Sequence, residues 1–442
     1  MSGTTDLNAT IEAAEAGRAR AYAAHRAALP GAGTPWLDAL RDAAMDAFAA
    51  TGLPNRRMES WKYIDLRAIA ETEWQLAAPA GAVDLSAPLC ADAVRLVTVD
   101  GRYRPDLSDR PEPGVAVTGM AEVLARGDAS AERAFGPAAW GRSGPMIALN
   151  TALAADGLVI AVAEDAQIAR PVEILHWSTA APAPTEYHAR HAMLLDAGAR
   201  LTVVERFAGA AGAPVLANHG CAVALARGAI LDHVRLQDEA AATLHIAAND
   251  VRLAHGAAYR GSCFGLGAAA ARVDLDVVLA EERASFDLAA AYLARGSQQA
   301  DLTTRVRHAA PHGSSAQLVK GVVDGRARGI FQGAIAVEPH AQRTEARQYG
   351  RALLLSREAE VDTKPELRIE ADDVQCAHGA AIGALDADQL FYLRARGIDA
   401  TTARAMLVEA FVGEVVARVP VEPVRAALAS LAHAWLAGER AA

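Results

Sequence analysis

Gly198-Ala-Arg-Leu-Thr-Val-Val-Glu205 is followed by Gly228-Ala-Ile-Leu-Asp-His-Val-Arg235, and this recurrence decides the fold. Related β-type runs begin at Gly256, Arg283 and Gly313, so that successive starts lie 30, 28, 27 and 30 residues apart. A period of this length is typical of chains that stack similar units along one axis. Each unit is too small to bury its apolar side alone, and stacking buries that side.

A second β-type run lies between neighbouring copies of the first. In Val273-Asp-Leu-Asp-Val-Val-Leu279 apolar residues recur at every second position, as a strand with one buried side requires. Two strands per repeat predict a mainly β chain built as a coiled stack of strands. An antiparallel sandwich with evenly spaced strands stays open as the alternative. The second runs span residues 215–226, 243–254, 273–280, 302–309 and 330–338.

Helical patterns flank this β region. An apolar period close to 3.6 residues runs from Trp36 to Ala50 and stops at Gly52 and Pro54. A second helical pattern ends at Val416, and its wide apolar face is expected to pack against the chain's own β core or against a partner. The expected parts are residues 1–75 (helical N-terminal domain), 76–145 (mixed connecting segment with a strand or two), 146–385 (β core) and 386–442 (helical C-terminal domain).

Composition favours an ordinary globular protein of 442 residues, with 52% hydrophobic and 22% charged residues. The net charge of −10 argues against nucleic acid or an anionic membrane as the main partner. Cys90, Cys221, Cys263 and Cys376 are widely spaced, which argues against a zinc ribbon or a disulfide framework. A polar N-terminus and the lack of a long apolar run make the cytoplasm the expected compartment.

Motifs for common enzymatic chemistry are missing from the sequence. There is no G-x-x-x-x-G-K-[ST], so we do not expect ATP hydrolysis, and there is no G-x-S-x-G or H-E-x-x-H. Gly265-Leu-Gly-Ala-Ala-Ala270 loosely fits a dinucleotide motif, but a strand follows it where that motif needs a helix. The sequence therefore predicts a protein that is not an enzyme.

Cys376-Ala-His378 is the one pattern that favours metal or sulfur chemistry. It follows a strand-like run, and in an extended chain both side chains project to the same side. A thiolate and an imidazole suit iron, zinc or a persulfide, but two ligands cannot complete a tetrahedral site. Other strands or another chain would have to supply the rest. A buried structural cysteine is the rival interpretation, and the other histidines are interpreted as surface or core residues.

Several ordered motifs resemble the SufB/SufD family of the SUF iron–sulfur cluster assembly system, and its SufD branch in particular. The N-terminal motif is Arg57-Met-Glu-Ser-Trp-Lys-Tyr63, followed by Ile64 where the family commonly has threonine. The C-terminal motifs are Thr363-Lys-Pro-Glu-Leu367, Asp372-Asp-Val-Gln-Cys-Ala-His-Gly379, Phe391-Tyr-Leu-Arg-Ala-Arg-Gly-Ile398 and the run from Ala403 to Phe411. The resemblance covers essentially the whole chain.

This resemblance implies a right-handed parallel β-helix with helical N- and C-terminal domains. It also implies a non-catalytic scaffold that pairs with SufB through the β-helices and binds SufC, an ABC-type ATPase, through its C-terminal helices. A transient iron–sulfur cluster would be shared with SufB, with His378 and Cys376 as tentative metal and cluster-assembly residues. Reduced flavin in the complex and a homodimer in isolation are further expectations. The candidate ATPase-interface residues are Leu407, Phe411 and Val415.

Two alternatives accompany this interpretation. The chain could be the sister scaffold SufB, but Cys221 and Cys263 lack the surrounding pattern expected of its cluster-building cysteine. It could also be a β-helix enzyme acting on polysaccharides, although such enzymes are usually exported and need clustered acids.

Overall fold

The computed structural model describes residues 2–136 and 144–438. Helices occupy both ends of the chain, and strands fill the middle. The helices are α1 (Ser2–His25), α2 (Pro35–Thr51), α3 (Arg67–Glu71), α4 (Met120–Arg126), α5 (Ala129–Phe135), α6 (Pro145–Leu153), α7 (Ala387–Ala395), α8 (Ala400–Val416) and α9 (Glu422–Ala437). Within the described ranges, no helix is long and apolar enough to cross a membrane.

The described residues form twenty strands, and most of them are 8 to 11 residues long. They are β1 (Gln75–Leu76), β2 (Val94–Val99), β3 (Arg102–Tyr103), β4 (Val115–Gly119), β5 (Leu158–Val162), β6 (Val172–Ser178), β7 (Thr185–Leu195), β8 (Arg200–Gly209), β9 (Val215–Leu225), β10 (Ile230–Gln237), β11 (Thr243–Leu253), β12 (Ala258–Gly265), β13 (Ala270–Leu279), β14 (Ser285–Ala294), β15 (Gln299–His308), β16 (Ser314–Val323), β17 (Arg328–Val337), β18 (Glu345–Leu354), β19 (Glu360–Ile369) and β20 (Gln375–Gly383).

The strands form two sheets that face each other. Sheet A runs β4-β5-β7-β9-β11-β13-β15-β17-β19, and sheet B runs β3-β2-β6-β8-β10-β12-β14-β16-β18-β20. From β5 onward successive strands alternate between the sheets, and neighbours within a sheet are parallel. This confirms the predicted parallel β-helix and excludes the antiparallel sandwich. The five predicted first runs are β8, β10, β12, β14 and β16, and the second runs are β9, β11, β13, β15 and β17.

Glycines turn the chain where successive coils begin. Gly198, Gly228 and Gly256 have φ angles of 68°, 68° and 64°, a left-handed conformation that glycine adopts without steric cost. The amide of Gly198 donates to a carbonyl at the same corner of the next coil, and those of Gly228 and Gly256 do likewise. At the fifth corner His312, with a φ of 59°, occupies this position, so the start predicted at Gly313 is one residue late.

Apolar side chains fill the space between the sheets, and the helical domains cover the outer faces. Phe286 and Ile335 belong to the interior core. The N-terminal domain packs on sheet A, where the buried Trp61 ring lies 4.0 Å from the Arg272 guanidinium carbon. Helices α8 and α9 pack on sheet B. The connecting segment contributes β2, which pairs in parallel with β6, and β4, which pairs antiparallel with β5.

Candidate functional site

The last coil leaves one end of the β-helix open. Strands β19 and β20 end sheets A and B, and each has a strand neighbour on one side only in the part of the chain that the structure describes. Interior-facing residues of this coil are therefore exposed to solvent. Ile369 on β19 is 41% exposed and Ile382 on β20 is 44% exposed. An open end with unpaired strand edges is a surface on which another chain can dock.

Cys376 and His378 lie on β20, at this open end. The parallel register places Cys376 beside Ala346 of β18 and His378 beside Gln348. Both neighbours are buried in the interior, so the prediction that Cys376 and His378 project to the same side is confirmed. Cys376 is half-buried against the interior core, whereas His378 is exposed. The two donor atoms are thus offered at a surface and not enclosed in a pocket.

Burial raises the pKa of the Cys376 thiol above its usual value, and a backbone hydrogen bond with Ala346 partly opposes this effect. A raised pKa favours the protonated thiol, which is a weak metal ligand and a weak nucleophile. A metal ion or a positive charge nearby would be needed to favour the thiolate. The site in the isolated chain is therefore chemically incomplete, in agreement with the two-ligand pattern of the sequence.

The N-terminal motif contacts the last coil through an ion pair that was not predicted from the sequence. The Lys364 ammonium group lies 2.6 Å from a carboxylate oxygen of Glu59 and 3.1 Å from one of Glu366. The hydrogen bond from Lys364 lowers the pKa of Glu59, and it raises the pKa of Lys364 in turn. Two motifs that lie 305 residues apart therefore meet on β19. In the sequence, only the opposite charges of Glu59 and Lys364 indicated that these two motifs could meet.

Two of the three candidate ATPase-interface residues of α8, Val415 and Phe411, pack against the chain's own sheet B. Val415 is fully buried in the core between α8 and sheet B, which corrects its assignment as an interface residue. Phe411 is half-buried and covers the Lys320 ammonium group, 4.4 Å from its ring centre. Leu407 is half-buried as well. The apolar period predicted the helix correctly, but the side of α8 that carries Val415 and Phe411 packs within the chain.

Exposed large apolar side chains concentrate near the C-terminus instead. In the described ranges they belong either to the last two coils or to helices α7 and α8. The most exposed are Phe391 at 74% and Tyr392 at 58%, both on α7. In the sequence, Phe391 and Tyr392 belong to one of the family-like motifs, and no role was predicted for them. The others are Tyr349, Ile369, Ile382 and Met406.

Buried histidines form a second cluster, inside the β-helix. His176, His191 and His219 offer ligand atoms within 4.8 Å of one another, and so do His219, Glu239 and His245. All five side chains are at most 5% exposed. Imidazole and carboxylate groups are common ligands of divalent transition metals. His219 belongs to both groups, so either group can bind a metal ion only if His219 has a ring nitrogen that is free to coordinate it.

Hydrogen bonds already engage both ring nitrogens of His191 and His219. The Leu158 amide can only donate, and it donates to Nδ1 of His191 at 3.1 Å. Nε2 of His191 must then carry the hydrogen, which it donates to Nδ1 of His219 at 3.3 Å, and Nε2 of His219 donates to the Tyr187 hydroxyl at 3.2 Å. Burial also lowers the pKa of His191 to about 3. His191 and His219 are therefore neutral, with both ring nitrogens of each engaged in hydrogen bonds. Because His219 belongs to both groups, neither group presents three free donors.

Fold and site together define a class of protein: a parallel β-helix with helical domains at both ends and an incomplete thiol–imidazole site on its open coil. Residues 177–411 match the family model of the SufBD core domain of SUF system FeS cluster assembly, and residues 14–174 match that of the SufBD protein N-terminal region. The chain belongs to the SufBD family of iron–sulfur cluster assembly proteins.

Curated relatives support the SufD branch of this family. The chain is 34% identical over 371 residues to iron–sulfur cluster assembly protein SufD of Escherichia coli K12, which covers 82% of this chain and 85% of that protein. It is 30% identical over 406 residues to an iron–sulfur cluster assembly SufBD family protein of Synechocystis, covering 88% of each. SufD of Bacillus subtilis is 36% identical over 137 residues, 31% of each chain.

Proposed function

We propose that this chain is a non-catalytic scaffold subunit that pairs with SufB and binds the SufC ATPase during iron–sulfur cluster assembly in the cytoplasm. The observation that carries the proposal is the distribution of exposed apolar side chains. Within the described residues, the large ones lie at the open end of the β-helix and on the C-terminal helices. Clustered exposed apolar residues are typical of surfaces that bind other proteins.

The open coil is the proposed contact with SufB. Its strands β19 and β20 have unpaired edges, and Ile369 and Ile382 provide apolar area beside them. A second β-helix that docks here would cover both edges and the interior residues of the last coil. In the absence of SufB, a second copy of this chain would cover the same surface and form a homodimer.

Cluster chemistry is proposed at the same contact. Cys376 and His378 supply a sulfur and a nitrogen donor, and SufB would supply the remaining ligands of a transient iron–sulfur cluster. Docking would also bury the exposed imidazole of His378 and place a new charge near the thiol. The reduced flavin expected for this family has no recognisable motif in the sequence, so we assign its binding to the assembled complex.

SufC is proposed to bind at α7 and the start of α8. Phe391 and Tyr392 are the most exposed large apolar residues in the described ranges, and Met406 on α8 is 42% exposed. These residues replace the buried Val415 as candidates for the interface. ATP-driven dimerisation of two SufC subunits would then move the C-terminal helices of both scaffolds and change access to the cluster site.

Co-purification with SufB and SufC tests the two surfaces separately. The double variant Phe391→Glu and Tyr392→Glu should lose SufC and keep SufB, whereas Ile382→Glu should lose SufB and keep SufC. Ala241→Glu, at an exposed corner between β10 and β11, is the matched control and should keep both. If the wild-type chain retains neither protein, the scaffold proposal is refuted.

A further inference from the structure

A buried lysine connects helix α8 to sheet B. Lys320 lies on β16 with 3% of its side chain exposed, and its Nζ donates a hydrogen bond to the Phe411 carbonyl oxygen at 2.7 Å. The same ammonium group pairs with the Glu414 carboxylate and lies 4.4 Å from the centre of the Phe411 ring. One cation therefore makes three contacts with a single turn of α8, which holds that turn on β16.

Sliding α8 along sheet B would be unfavourable because it would change the solvation of this ion pair. The Glu414 carboxylate is 50% exposed and would remain hydrated without its partner. If α8 slid along sheet B and still covered β16, the Lys320 ammonium group would lose both oxygens while it stays buried. An unpaired buried charge is strongly destabilising. A displacement of α8 along its axis is therefore expected to carry β16 with it, since sliding would leave Lys320 unpaired.

Strand β16 is linked in turn to the candidate site. It pairs with β18, and β18 pairs with β20, the strand that carries Cys376-Ala-His378. Lys320 is in register with Arg351 of β18. The hydrogen bond from Lys320 lowers the pKa of Glu414, and the charge of Arg351 lowers it further, so that this carboxylate is attracted by both strands.

We infer that Lys320 is a positioning residue that transmits movement of the C-terminal helices to the last coil. The inference rests on the proposed function, which assigns SufC binding to these helices and cluster chemistry to Cys376 and His378. Movement of α8 on ATP binding would shift β16, β18 and β20 together. Access to the Cys376 thiol would then change with the nucleotide state of SufC.

The experiment uses the complex of this chain with SufB and SufC. The rate at which a maleimide reacts with Cys376 is measured with and without ATP, by mass spectrometry of the peptide that contains this residue. Lys320→Met removes the charge and keeps the length of the side chain, and Glu414→Gln tests the same pair from its exposed partner. Lys62→Met, at an exposed lysine of the N-terminal domain, is the matched control.

We expect the wild-type and Lys62→Met complexes to show the same ATP-dependent change in rate. Both Lys320→Met and Glu414→Gln should bind SufC normally and lose most of that change. A full ATP response in both variants overturns the inference and leaves the scaffold proposal intact. Loss of SufC binding in both variants also overturns it, because the pair would then belong to the docking surface. A wild-type complex without any ATP response overturns the inference alone, since co-purification tests the scaffold proposal independently.

Discussion

Replacing His308 by glutamine is expected to reduce the loss of stability in mild acid. His308 lies on β15, is 0% exposed, and has its Nε2 atom 2.9 Å from the Ser315 hydroxyl oxygen. Burial lowers the pKa of His308 from 6.5 to about 4, because a charged imidazole would lose its hydration there. Glutamine retains a polar group that can contact Ser315 but does not titrate.

The direction of the effect follows from which state binds the proton first. As the pH falls below 6.5, the unfolded chain protonates at His308 while the folded chain does not. The stability contributed by the neutral side chain is complete above that pH and is lost as the pH falls toward the folded pKa of about 4. At about 1.4 kcal/mol for each pKa unit, the loss is about 2 kcal/mol at pH 5 and about 3 kcal/mol at pH 4.

Urea unfolding followed by tryptophan fluorescence measures this loss. The free energy of unfolding is compared at about pH 7.5 and about pH 5 for the wild type and for His308→Gln. We expect the variant to lose about 2 kcal/mol less than the wild type on acidification. His25→Gln, at an exposed position on α1, should behave as the wild type. Equal losses in the wild type and His308→Gln would show that burial of this imidazole does not control the acid response.

Three further predictions concern packing and the site. A Cβ atom at Gly321 would lie 2.3 Å from the Tyr292 ring, so Gly321→Ala should lower the free energy of unfolding by about 1 to 3 kcal/mol, and Tyr292→Leu should relieve this cost in a double-mutant cycle. His378→Ala should keep the circular dichroism spectrum and lower cluster formation by the whole complex, with exposed Gln375→Ala as its control; an unchanged cluster yield would contradict the site. Phe411→Asp should destabilise the packing of α8 on sheet B, because it removes the ring beside the Lys320 ammonium group, and an unchanged melting temperature would contradict that role.

The β-helix could be predicted because its determinants are local and repeated. Each corner needs a residue in a left-handed conformation, and glycine at Gly198, Gly228 and Gly256 marks three of them in the sequence. At the fifth corner the left-handed residue is His312, and the glycine that follows it, Gly313, was taken as the start, so the predicted start was displaced by one position. Alternation of apolar residues then identifies the strands between the corners.

The candidate site was predicted only in part. Strand alternation was sufficient to place Cys376 and His378 on one side of β20, because that relationship spans three residues. The covering of Val415 by sheet B could not be predicted, since helical periodicity shows that a face is apolar but not which element packs on it. The exposure of Phe391 and Tyr392 was missed for the same reason.

The sequence by itself determined the period, the strand pattern, the helical ends and the motifs that identify the family. Only the tertiary structure decided which distant residues meet. His176, His219 and His245 were interpreted as surface or core residues, yet the fold brings them together. His219 and His245 lie on the neighbouring strands β9 and β11 of sheet A, about 4.8 Å apart, and His176 on β6 of sheet B faces them across the interior. Glu59 meets Lys364 because the N-terminal part of the chain packs on sheet A. Such contacts depend on the register and on the packing of whole elements, and neither is encoded in a short stretch of residues.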